Sequence, residues 1–127
     1  MKSLELKTSK ALLPIGPYSQ AVRVGDLLFM SGILPIDVQS KALLVDIEGA
    51  TKKIFEHLDA ILGEAGLGRA NVVKSTIFMK DLTQFAELNK VYGAYFTDVK
   101  VMPARSTVQV AKLPLDAVVE MEFIASF

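Results

Sequence analysis

The chain has 127 residues, 51% of them apolar and 22% charged, enough apolar material for one domain with a single core and too much for a disordered chain. Its 14 basic residues are balanced by 14 acidic ones, so it lacks the basic excess that drives phosphate-backbone binding, and nucleic acid is not an expected partner. Cysteine is absent and His57 is the one histidine, which removes disulfides, thiolate nucleophiles and multi-histidine zinc sites.

The N-terminal segment lacks the basic stretch and apolar run of a signal peptide, and no run of about 18 apolar residues occurs, so a soluble cytoplasmic protein with no membrane partner is expected. No repeat, low-complexity tract or composition shift marks a linker, and residues 1–127 read as one domain.

In chain order, a short strand near Leu4 precedes two strand-like runs, Ser19 to Val24 and Leu27 to Ser31, separated by Gly25-Asp26, a pair suited to a tight hairpin. From Asp46 to Ala65 the residues Ile47, Ala50, Ile54, Leu58, Ile61 and Ala65 recur every three or four positions, the stripe of a core-facing helix stopped by Gly66. Val72 to Lys80 is β-branched and strand-like. Asp81 to Phe96 returns to helical spacing through Phe85, Leu88 and Tyr92, and Asp81 and Gln84 have capping-box spacing. Ala104 to Ala111 and Ala117 to Ala125 are two further strands joined around Pro114.

This order predicts an α+β fold: a mixed sheet with two helices on one face. The other face would carry residues such as Val22, Ile77 or Val119, depending on register, and an apolar sheet of that size calls for a homo-oligomer closed through the sheets.

Strand alternation places Arg105, Thr107 and Gln109 on one face of their strand and Glu120 and Glu122 on one face of the last. If these two strands pair antiparallel with Thr107 opposite Glu120, all form one polar patch. A guanidinium there offers a planar fork matched to a carboxylate ligand; on residue types alone, an ion pair with Glu120 or Glu122 is the commoner outcome. Two glutamates on one face could raise the proton affinity of one of them, or both could be simply solvated. Upstream, Ile15-Gly16-Pro17-Tyr18 sets a phenol just after a rigid bend, and Ser31-Gly32 ends a strand where a bulge forms or a ligand approaches closely. Asn89 interrupts the apolar stripe of the second helix and needs partners, in a local network or in support of a site. His57, beside Lys53, Asp59 and Glu64, is expected at the surface. No glycine-rich phosphate loop or nucleophile elbow occurs.

Taken together, Ile15 to Ala21, Ser31-Gly32, Val73 to Leu82, Asn89, and Pro103-Ala104-Arg105-Ser106 through Glu120-Met121-Glu122 resemble the RidA (YjgF) family over nearly the whole chain. The resemblance implies a chorismate-mutase-like fold, a six-stranded sheet with two helices, and a homotrimer with clefts between subunits. It also implies hydrolysis of 2-imino acids such as 2-iminobutanoate and 2-iminopropanoate to 2-oxo acids and ammonia, without a cofactor or metal. Carried over by position, Arg105 would hold the substrate carboxylate and Glu120 the attacking water, with Tyr18, Ser31, Gly32, Asn89 and Thr107 around the substrate. Thr107 stands where many members have cysteine, and Ile33 where glutamine is frequent. Two other classes stay open beside the deaminase: a 2-oxo acid binding or regulatory protein without turnover, and an endoribonuclease or translation inhibitor.

Overall fold

A computed structural model describes residues 2–127. Six strands, β1 (Ser3–Leu6), β2 (Ala21–Val24), β3 (Leu27–Met30), β4 (Val72–Met79), β5 (Ala104–Gln109) and β6 (Val119–Ser126), form one mixed sheet in the order β1-β2-β3-β6-β4-β5. Two helices, α1 (Ile47–Glu64) and α2 (Phe85–Tyr95), pack on one of its faces. The two-residue hairpin falls where the sequence puts it: Val24 pairs with Leu27, and Gly25 takes φ 59° between them, a value that costs glycine little.

Asp46 caps α1, its carboxylate accepting from Gly49 N–H at 2.8 Å, and Gly66 (φ 73°) lies just past the helix end. Of the predicted stripe, Ile47, Ala50, Ile54, Leu58 and Ile61 are buried, while Ala65 caps the helix end and is partly buried. The second helix is shorter than its spacing suggests. Asp81 does not form a capping box with Gln84; its carboxylate accepts from Thr83 N–H and Oγ1, which winds residues Leu82–Gln84 into a separate 3₁₀ turn before α2 begins. An aromatic cluster joins the helices: Phe55 stacks on Tyr95 with centroids 4.0 Å apart and meets Phe96 edge-on, contacts worth about 0.5–1.5 kcal/mol each beyond burial.

One expectation is overturned. β5 does not pair with β6; it lies at the sheet edge, parallel to β4, with Arg105 opposite Ser75 and Thr107 opposite Ile77. β6 inserts between β3 and β4, antiparallel to both. The physical reason is in the alternation. Val119, Met121, Phe123 and Ala125 are all buried beneath the helices, whereas Arg105, Thr107 and Gln109 on the same face of β5 could not fill a central position. The chain therefore crosses from β4 over α2 to the neighbouring parallel edge.

The same register sorts the predicted open-face residues. Ile77 and Val119 are buried under the helices, while Val22 lies on the open face with Phe29, Phe78, Val108 and Ile124. Phe29 and Val108 remain more than two-fifths exposed, an apolar face with polar residues Lys74, Thr76, Glu120 and Glu122 among it. Among the described residues no helix is long and apolar enough to cross a membrane.

Candidate functional site

Arg105 is held from the helix side. Its Nη1 donates to Asn89 Oδ1 at 2.8 Å, and its guanidinium carbon lies 4.6 Å from the Tyr92 ring centroid and 5.3 Å from that of Phe85. Phe85, Asn89 and Tyr92 succeed one another at spacings of four and three, so one face of α2 presents ring, amide and ring to the edge of β5. Tyr92 is fixed in turn by donating to Ser75 Oγ at 2.9 Å, and Ser75 is the register partner of Arg105. Thr107 follows on the same face, with its hydroxyl oxygen buried and without a partner among the described residues. Gln109, third in the polar row, serves the fold, its Oε1 accepting from Leu82 N–H at 2.9 Å.

None of the ion pairs among the described residues involves Arg105. The pairing with Glu120 or Glu122 that residue types favour does not form, because those glutamates project from the opposite face of the sheet. A planar cation is thus oriented by an amide and two aromatic faces and left without an anion from its own chain.

The acid lies in a second recess. Ile15, Tyr18, Ser31, Gly32, Leu34, Pro114, Glu120 and Glu122 surround a cleft of about 410 Å³ on the open side. Glu120 is half-buried, and burial, reinforced by the neighbouring Glu122, holds its carboxyl above the usual carboxylate range, which suits a group that must accept and return a proton. Gly32 explains itself sterically. A Cβ at this position would stand 2.5 Å from Glu120 Oε1 and 2.9 Å from its Cδ, so only glycine lets the carboxylate lie against the strand end. Ser31 locks that end by donating from Oγ to Ser19 O at 2.6 Å, with its N–H on Gln20 O. Tyr18 rims the cleft at 47% exposure, its hydroxyl accepting from Ile15 N–H at 3.3 Å.

The predicted residues therefore form two groups, Arg105 with Asn89 and Thr107 on one face, and Glu120 with Tyr18, Ser31 and Gly32 on the other. Sequence reasoning passes over Phe85, Tyr92 and Ser75, and over the apolar walls Ile15, Leu34 and Pro114. The spacing of Phe85, Asn89 and Tyr92 on one helix face is the signal that could have found the first two. His57 also departs from expectation: it is 2% exposed, gripped between Leu12 N–H and the Ile36 carbonyl, because loops fold over the flank of α1 that periodicity leaves open.

The sequence model of the family described as Endoribonuclease L-PSP matches residues 8–127. A RutC family protein of Aquifex aeolicus is 50% identical, over 95% of this chain and 97% of its own. The 2-iminobutanoate/2-iminopropanoate deaminase of Salmonella typhimurium is 40% identical, over 97% of both chains. The crystal structure of Escherichia coli TdcF with bound serine matches with a TM-score of 0.92 at 37% identity, covering 98% of both chains. With sequence and fold matched from end to end, this chain belongs to the RidA (YjgF) family.

Proposed function

We propose that this protein is a cytoplasmic deaminase that hydrolyses reactive 2-imino acids, such as 2-iminobutanoate and 2-iminopropanoate, to 2-oxo acids and ammonia. The observation that carries this reading is the state of Arg105, oriented by Asn89, Phe85 and Tyr92 yet unpaired with any acid of its own chain. Such a fork takes a carboxylate in two parallel hydrogen bonds. The name of the Salmonella relative supplies the substrate class.

The reaction needs positioning more than machinery. An iminium carbon is already electrophilic, so a water held against it by Glu120 can add once the carboxylate end is fixed. Glu120 accepts a proton from that water as the C–O bond forms. It returns the proton to nitrogen, and as the C–N bond breaks the carbinol hydroxyl gives its own proton to Glu120, which passes it to the departing ammonia, leaving the 2-oxo acid and ammonium. Thr107 lines the anchored end, while Tyr18, Ser31 and Gly32 shape the acid end.

Because Arg105 and Glu120 occupy opposite sheet faces, a complete cleft takes the arginine of one subunit and the glutamate of the next. A homotrimer packed through the open faces does this and covers Val22, Phe29, Phe78 and Ile124 at the same time. The test is a coupled assay in which a threonine dehydratase generates 2-iminobutanoate: the protein shortens the imine's lifetime, and an unchanged lifetime in the presence of folded trimer overturns the reading.

A binding protein without turnover is the second reading, favoured by the serine bound in the TdcF structure. Tight binding of 2-oxobutanoate with no acceleration of imine loss would establish it. The endoribonuclease description of the family model brings in RNA cleavage as an alternative, and cleavage by pure protein that survives Arg105→Ala would support that one.

A further inference from the structure

His57 is a buried titratable side chain that the deaminase chemistry leaves unused. Its ring reaches from α1 to two connecting segments: Leu12 N–H donates to Nδ1 at 3.3 Å, and Nε2 lies 2.7 Å from the Ile36 carbonyl oxygen. A backbone N–H only donates and a carbonyl only accepts, so these partners fit one state of the ring, the neutral imidazole with its proton on Nε2.

Both segments run into the wall of the Glu120 cleft. Beyond Leu12 the chain reaches Ile15 and Tyr18, tied to each other by Ile15 N–H on the Tyr18 hydroxyl and by Tyr18 N–H on Gly16 O. Ile36 donates its own N–H to Leu34 O at 2.9 Å. Ile15, Tyr18 and Leu34 are three of the cleft's walls. From the inner side, His57, Leu12, Tyr18, Ser31 and Gly32 border one small cavity of about 20 Å³. The Leu12 peptide is held at both ends, since Gln20 Nε2 donates to its carbonyl at 2.8 Å.

We propose that His57 is a positioning residue of the Glu120 cleft, its neutral ring fastening the Leu12–Tyr18 segment to the Leu34–Ile36 segment, and that a proton taken up at Nδ1 releases the first of them. A protonated Nδ1 would face Leu12 N–H donor against donor. The charged groups around the ring are Lys53 and Glu56 of its own helix, Asp37 beyond Ile36, and Lys10 from the N-terminal segment. Lys53 pairs with Asp37 at 3.0 Å and with Glu56 at 2.6 Å, so these charges offset one another. Burial is then the leading influence, and it holds the ring's proton affinity below that of an ordinary histidine.

The activity part of the test rests on the deaminase reading; the exchange part does not. His57→Leu removes both bonds, whereas His57→Asn keeps an acceptor near the δ position and cannot titrate. Amide hydrogen exchange without substrate, at fixed neutral pH, should show Leu12, Ile15 and Tyr18 exchanging about 10-fold faster in His57→Leu, with the sheet amides unchanged. In the imine assay His57→Leu should lose about 10-fold in kcat/KM, chiefly through KM. The wild-type protein should lose kcat/KM in an acid limb centred below the ordinary histidine value of about 6.5, a limb that His57→Asn lacks. Unchanged exchange at Leu12 to Tyr18 overturns the proposal. Faster exchange with unaltered kcat/KM, or an identical acid limb in His57→Asn, overturns it equally. Should His57→Leu fail to fold, exchange at acid pH carries the measurement instead: Leu12 to Tyr18 should loosen in the wild-type protein and not in His57→Asn, and equal exchange in the two overturns the proposal. Absence of turnover in wild-type protein would count against the deaminase reading alone and leave the exchange result decisive for His57.

Discussion

The two faces of the sheet are built to different rules. Beneath the helices, Ile77, Met79, Val119, Met121 and Phe123 are sealed from solvent, and Ser75, a polar residue among them, is matched by the Tyr92 hydroxyl. On the open side, apolar and charged residues alternate in the same strands, and Glu120 is half-buried with its proton affinity raised. The covered face shows how the chain folds, with Arg105 attached at its rim by contacts that also pack. The open face leaves Phe29 and Val108 more than two-fifths exposed. A family resemblance carries residue identities across to a new chain, but only the register shows that the two catalytic candidates belong to different faces.

The sharpest way to break this contrast is Arg105→Ala. If Arg105 serves a ligand, kcat/KM falls by about 100-fold, roughly 3 kcal/mol, while the fold and the oligomer survive, as read by the imine assay beside a thermal melt. Loss of the assembly with the activity would return Arg105 to a structural role. Next, Arg105→Ala and Glu120→Gln subunits can be unfolded and refolded together. Sites that draw one group from each subunit recover roughly a quarter of wild-type activity in a random ring, whereas sites built within one chain recover nothing. A smaller effect is expected for Gly32→Ala, which forces the Glu120 carboxylate from its seat: kcat/KM should drop about tenfold with little change in melting temperature. The mildest change is Glu122→Gln. Removing the neighbouring negative charge lowers the proton affinity of Glu120, so the acid limb that persists in the His57→Asn background moves to lower pH, while the part due to burial stays. An unmoved limb would mean that Glu120 does not set it.

Much of the fold is legible in the sequence because local physics decides it: the stripe from Ile47 to Ile61 and the Gly25-Asp26 hairpin each follow from a few neighbouring residues. Strand pairing is not local. Ala104 to Ala111 and Ala117 to Ala125 are neighbours in sequence, and adjacency suggests a hairpin, yet the deciding factor is which strand can bury an unbroken apolar face at the centre. Val119, Met121, Phe123 and Ala125 could have given that answer. Boundaries shift for a similar reason. Leu115 and Asp116 adopt left-handed φ of 58° and 56° in a 3₁₀ turn, tied by Lys80 Nζ on Asp116 at 2.9 Å, and β6 starts two residues later than its composition suggests. The sequence names the candidate residues but not their division between two faces, since faces follow from register. The burial of His57 depends on segments around Leu12 and Ile36 that carry no periodic signal.

The place of β6 has a consequence for how the protein is made. Its residues come late in the chain and sit at the middle of the sheet, between strands that began nearly a hundred and nearly fifty positions earlier. Until Val119–Ser126 has left the ribosome, β3 and β4 each keep a bare hydrogen-bonding edge, the kind of edge through which nascent chains aggregate. Glu120 arrives with the same segment that closes those edges. A growing chain can therefore seat Arg105 of β5 against α2 before Glu120 takes its place, and one strand completes both the sheet and the candidate site.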